Sequence, residues 1–151
     1  MRSLKVLVAD DDKEDRRFAK QYIEEYLQDR KTKKQEILEV EVKEAETPEQ
    51  ANQVITTFDP DLIILDVVFG RNDTNTSWIE EVLKPYRKVG GKAKIICWSR
   101  DPDYEWTVKI AGANKFLNKK VYYPLKDALI VQLETFGITL HDKVFYPLMY
   151  N

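Results

Sequence analysis

Five polar side chains stand where apolar runs of the chain stop. Asp10 and Asp11 close the run that begins at Leu4, and Asp66 closes Leu62-Ile63-Ile64-Leu65. Ser99 follows Ile95-Ile96-Cys97-Trp98, and Lys119 follows the segment 115–118. Singly, each has a plain explanation. Asp10-Asp11-Asp12 reads as a helix N-terminus with Asp12 as the N-cap. Ser99 reads as a turn hydroxyl, and Lys119 as a surface lysine. Asp66 is harder to dismiss, because a carboxylate at the end of a buried run is costly without a partner. If the fold gathers Asp10, Asp11 and Asp66 within a few ångströms, their charges repel and cannot all persist unaided. A divalent cation resolves this, and an all-oxygen donor set suits magnesium. Three carboxylates, one Mg²⁺ and the ammonium of Lys119 then balance to neutrality.

The elements that must position these groups follow from hydrophobic patterning. Residues 4–9, 62–68 and 93–98 lack polar alternation, as strands of a sheet covered on both faces do. Residues 37–45 and 115–118 are weaker strand candidates. Between them, residues 14–28 carry the pairs Phe18/Ala19, Tyr22/Ile23 and Tyr26/Leu27 at helical spacing. Thr47-Pro48-Glu49-Gln50 is a capping box ahead of Ala51, Val54, Ile55 and Phe58. Ser77 and Glu80 open a third helix, which Pro85 shortens or bends. Asp101-Pro102 caps a short fourth helix holding Trp106 and Ile110, and Leu125, Leu129, Leu133 and Phe136 give a fifth its apolar face. Residues 29–35, with Arg30, Lys31, Lys33 and Lys34, read as a solvated basic loop, and residues 70–76 as a polar one. The alternation of strand and helix predicts an α/β fold of three layers: a doubly wound, five-stranded parallel sheet with five helices. In such a sheet active groups gather at the carboxyl ends of the strands, which is where the five polar residues fall.

Composition narrows the function. The 151 residues suit one domain, and 24 basic against 26 acidic side chains leave a net charge of −2. That gives no general attraction to nucleic acid or to an anionic membrane. No apolar run reaches the roughly 20 residues of a membrane helix, and Leu4–Ala9 is too short for a signal peptide's apolar region. One cysteine, Cys97, excludes an internal disulfide and a thiolate zinc site; one histidine, His141, argues against histidine-based chemistry. A cytoplasmic protein is expected.

Val6-Leu7-Val8-Ala9-Asp10-Asp11-Asp12, then residues 62–66, Ser99, Gly112-Ala113, Phe116 and Lys119, together resemble the receiver domain of two-component response regulators. The likeness spans residues 4–136. It implies a flavodoxin-like strand order 2-1-3-4-5, with residues 1–136 as the receiver and 137–151 as a tail packed on it or at a homodimer contact. It further implies Asp66 as phosphoacceptor, and magnesium held by Asp10, Asp11, Asp66 and the backbone carbonyl of Val68. Ser99 is the hydroxyl drawn to the phosphoryl group, Lys119 the lysine paired with it, and Phe116 the aromatic switch. The expected donor is a histidine kinase or phosphotransfer protein, and the output a switched surface for a downstream protein. With nothing after Phe136 long enough to fold as an output domain, a stand-alone regulator is expected.

Four positions depart from the family pattern. Lys120 replaces the usual proline after Lys119, which favours a trans bond and a slightly displaced lysine. Arg100 replaces the usual small gate residue after Ser99; it could block access, shield the acyl phosphate or bind the phosphoryl group. Gly70 with residues 71–76 lengthens the loop after the acceptor, and the segment from Ser99 to Gly112 is short. Arg100 and Lys120 favour an alternative, a pseudo-receiver acting as a protein-interaction module. A small phosphatase of the haloacid dehalogenase type, with Asp10 as nucleophile, is a third reading. It lacks that family's acidic pair after the lysine and has no room for a cap domain.

Overall fold

The computed structural model describes residues 3–33, 39–67 and 76–119, together with Val131. Five strands are described: β1 (Leu4–Ala9), β2 (Val40–Ala45), β3 (Leu62–Leu65), β4 (Lys94–Ser99) and β5 (Lys115–Asn118). All pair in parallel, in the order β2-β1-β3-β4-β5. The expected doubly wound sheet and its strand order are therefore present. Residues 34–38, with the start of the expected second strand, lie outside the described residues. So do Val68, most of the loop at 70–76, Lys120, the tail 137–151 and the fifth helix apart from Val131.

Strand residues alternate between two apolar clusters. Leu4, Val6, Val8, Leu62, Ile64 and Ile96 face the helix α1 (Lys13–Thr32), meeting Ala19, Ile23 and Tyr26. Leu7, Ala9, Ile63, Leu65, Ile95 and Cys97 face the other way, toward Ala51 of α2 (Pro48–Phe58) and the segment that follows β3. Covering on both faces is why these strands read as unbroken apolar runs.

The local signals hold with informative exceptions. Asp12 caps α1, accepting from the amides of Glu14 at 2.9 Å and Asp15 at 3.4 Å. Thr47 caps α2 through Gln50 N at 3.1 Å, while the Gln50 side chain reaches back to the amide of Glu46 at 2.9 Å. The basic segment after residue 28 is not a loop at first: α1 runs through it to Thr32. Arg30 is buried there, donating to the Tyr26 hydroxyl at 3.1 Å. Ser77 is not an N-cap, because its backbone is already helical. The amides of Ile79 and Glu80 both reach the Thr76 carbonyl at 3.0 Å, opening a wide π-type helix over Trp78–Leu83. That helix tightens into α3 (Lys84–Lys88) at Pro85. Proline has no amide to give the Glu81 carbonyl, and the Asn52 side chain donates to that carbonyl at 2.9 Å. The fourth helix, a 3₁₀ turn (Pro102–Tyr104) leading into α4 (Glu105–Ile110), is rotated from its expected facing. Tyr104, Val108 and Ala111 pack inward on the second cluster, while Trp106 and Ile110 are exposed.

Arg87 ties α3 to the turn that leads into β5. It donates to the carbonyls of Gly112 and Gly91, both at 2.8 Å, and to Asn114 Oδ1 at 2.9 Å. Gly112 has φ +111°, and a β-carbon there would sit 2.6 Å from Arg87 Cγ. Gly112→Ala is expected to cost about 2 kcal/mol through backbone strain and displacement of Arg87. Urea unfolding of both proteins checks this, and equal midpoints would show that the turn relaxes freely. Among the described residues no helix is long and apolar enough to cross a membrane.

Candidate functional site

The ladder that builds the sheet also builds the site. Just past the end of β3, the amide of Asp66 donates to the Ala9 carbonyl at 2.8 Å, which sets Asp66 beside Asp10. Just past the end of β5, the amide of Lys119 donates to the Ser99 carbonyl at 2.8 Å. These backbone bonds deliver Asp10, Asp66, Ser99 and Lys119 to one rim. Carboxylate oxygens of Asp10, Asp11 and Asp66 all lie within 4.8 Å of one another. Asp10 and Asp66 are buried, and Asp11 is half-buried. Asp10 Oδ1 accepts the amide of Asp12 at 2.9 Å, and Arg16 braces the strand end by donating to the Asp10 carbonyl at 2.7 Å.

Lys119 is the hub. Its Nζ lies 2.7 Å from Asp10 Oδ2, 2.8 Å from Asp15 Oδ2 and 3.4 Å from Asp66 Oδ1. It also stands 4.9 Å from the centroid of the Trp98 ring. Its side chain is 3% exposed, so a reading as surface lysine fails. The residue that follows it is not proline, yet the ammonium reaches the cluster.

Asp15 is the member that sequence reasoning misses. It is 4% exposed in the first turn of α1. Besides Lys119, it takes both arms of Arg100, at 2.9 Å and 3.1 Å. The guanidinium of Arg100 thus pairs with Asp15, which shares Lys119 with Asp66. Asp15 and Arg100 enter as a pair of opposite sign, so they leave the expected charge balance unchanged. Ser99 is 2% exposed, and its Oγ accepts the amide of Asp101 at 3.1 Å. Phe116 is half-buried against the second apolar cluster, opposite Cys97 in the sheet register.

The electrostatics follow from crowding. Burial, the charge of Asp10 and a hydrogen bond with Asp11 push the Asp66 carboxyl up to about 8, against the pull of Lys119. Burial also raises Asp10, though Lys119 opposes it. Burial pushes Asp15 up as well, but Lys119 and Arg100 outweigh it and hold Asp15 below the usual carboxylate range. Burial disfavours the Lys119 ammonium, yet Asp66 and Asp10 hold its pKa above the ordinary lysine value. Two carboxyls that resist ionisation beside a third make a donor set that a divalent cation would relieve. The three acids fit magnesium by number and by oxygen chemistry.

No family model matches the chain, and no curated protein matches it. Solved structures do. A Francisella response regulator receiver domain is 25% identical over 88% of this chain and 95% of its own, with TM-score 0.65. The signal receiver domain of the DNA-binding response regulator merR from Colwellia psychrerythraea is 19% identical over 88% and 99%, with TM-score 0.68. The response regulator TrrA from Thermotoga maritima, solved in complex with Mg(2+)-BeF, is 23% identical over 86% and 98%, with TM-score 0.65. Strand order, acidic rim and these likenesses agree, and the chain has the fold of response regulator receiver domains.

Proposed function

We propose that this receiver accepts a phosphoryl group on Asp66 from a histidine kinase or phosphotransfer protein, in a magnesium-dependent reaction. The observation that carries the reading is Asp66 held beside Asp10 and Asp11, with the Lys119 ammonium 3.4 Å away. Asp66 attacks the phosphorus in line. A bond forms from the carboxylate oxygen to phosphorus as the bond to the donor nitrogen or oxygen breaks, and its electrons leave with the donor. Such a transfer needs chiefly positioning and charge neutralisation. Asp10, Asp11 and Asp66 would hold magnesium, which when bound would supply positive charge to favour the ionised Asp66 and offset that of the phosphoryl oxygens. The Val68 carbonyl, the fourth expected ligand, lies outside the described residues. Lys119 pairs with the new phosphoryl oxygens, and Ser99 turns its hydroxyl toward them, giving up the amide of Asp101. The space this opens lets Phe116 turn inward, which shifts a protein-binding surface on the face of α4 and β5, where Trp106 and Ile110 are exposed.

The test is direct. After incubation with Mg²⁺ and a small acyl phosphate, the intact protein should gain the mass of one phosphoryl group, and the Asp66→Ala variant should not. No adduct with acyl phosphate or with a phosphohistidine donor would leave a protein-interaction module without phosphorylation.

A further inference from the structure

One buried carboxylate, that of Asp15, holds two cations that come from different parts of the chain. Lys119 Nζ and Arg100 Nη1 share its Oδ2, at 2.8 Å and 2.9 Å, and Arg100 Nη2 takes its Oδ1 at 3.1 Å. The Arg100 side chain is 57% exposed, whereas Asp15 is buried. The same lysine nitrogen that touches Asp15 also touches Asp66. The guanidinium therefore rests on a carboxylate that shares the Lys119 ammonium with Asp66. A planar guanidinium prefers to grip an oxyanion with two parallel bonds, and a phosphoryl group offers that geometry with more charge than a carboxylate.

We propose that Asp15 is a positioning residue that parks Arg100, and that a phosphoryl group on Asp66 competes with Asp15 for the guanidinium. The inference rests on Asp66 being the phosphoacceptor. Once moved, Arg100 covers the acyl phosphate. Water must then displace it before attacking phosphorus, breaking the bond to the Asp66 oxygen and releasing inorganic phosphate. Arg100 is bonded to Ser99 in the chain, and Asp101 caps the 3₁₀ turn through the amide of Asp103 at 3.0 Å. A change of partner at Arg100 thus pulls on the segment that leads into α4.

The test loads the protein with a small acyl phosphate and Mg²⁺, removes the donor, and follows loss of the adduct by intact mass. Asp15→Asn should lengthen the half-life about threefold or more, and Arg100→Ala should shorten it by a similar factor. In the Arg100→Ala background, Asp15→Asn should change the half-life less than about twofold, because its route runs through the guanidinium. Arg100→Lys keeps the charge without the fork and should restore only part of the lifetime. Equal effects of Asp15→Asn in both backgrounds would overturn the proposal alone, assigning Asp15 to Lys119 instead. If Asp15→Asn does not fold, an unchanged half-life in Arg100→Ala overturns it. Absence of any adduct on the unsubstituted protein removes the proposal together with the phosphoacceptor reading.

Discussion

Lys119→Met is expected to destabilise the metal-free protein by roughly 3–5 kcal/mol at pH 8, the usual cost of removing one partner from a buried ion cluster. Methionine keeps much of the aliphatic stem, so the loss isolates the charge, together with its contact to the Trp98 ring. Without the ammonium, Asp10 and Asp66 lose their nearest opposite charge among the described residues, while Asp15 keeps Arg100. The cost should shrink toward pH 5, where protonation of Asp66 removes much of the uncompensated charge. Saturating Mg²⁺ should recover part of it, since a ligand that binds only the folded state stabilises that state. Urea unfolding in EDTA and in Mg²⁺ measures both effects. A loss under about 1 kcal/mol at pH 8 would mean that Lys119 does not hold the acids together.

How much of this site is legible in the chain depends on whether each residue announces itself locally. Asp10, Asp66 and Ser99 do, because each interrupts or ends an apolar run, and the ladder bonds past the strand ends then fix where they meet. Lys119 is marked more weakly, by its place after a short strand candidate and by the family resemblance, since nothing near it in sequence shows that its side chain is buried. Asp15 carries a fainter signal. The apolar pairs of α1 recur every four residues, and one step earlier the same stripe falls on Glu14 and Asp15. Asp15 is accordingly buried on the face that carries Ala19, Ile23 and Tyr26. A lone acid on an apolar stripe invites the question of its partner. That partner, Arg100, is 85 residues away in sequence, and its place after Ser99 suggests a gate rather than a pair. The facing of α4 is hidden for a different reason. Trp106 and Ile110 share a face as well as Tyr104, Val108 and Ala111 do, and in so short a helix composition cannot choose between them; packing against the sheet chooses the second.

Asp66→Asn is expected to reverse the sign of its effect on stability when magnesium is added. Asparagine matches the shape of aspartate, so the amide of Val67, now 2.8 Å from Asp66 Oδ1, keeps an acceptor. In the folded protein the Asp66 carboxyl titrates near 8 rather than at 3.8. Between those values the folded state binds a proton that the unfolded state has released. The protonated carboxyl's contribution is full below about pH 4 and is lost as pH rises through about 8, so metal-free stability falls across that window. Each tenfold difference in proton affinity between the two states is worth about 1.4 kcal/mol. The variant should therefore gain roughly 2–5 kcal/mol over the original at pH 8 in EDTA. Near pH 5 the gain should fall to about 1–2 kcal/mol, because the unfolded carboxyl has only begun to favour its ionised form so little above 3.8. With Mg²⁺ the original protein should gain more than the variant, since asparagine brings no charge to the cation. Thermal melts at pH 5 and pH 8, each in EDTA and in Mg²⁺, give the four values needed. If the variant melts lower than the original at pH 8 in EDTA, the carboxylates at 10, 11 and 66 are not in electrostatic conflict. Equal Mg²⁺ gains in the two proteins would place the cation away from Asp66.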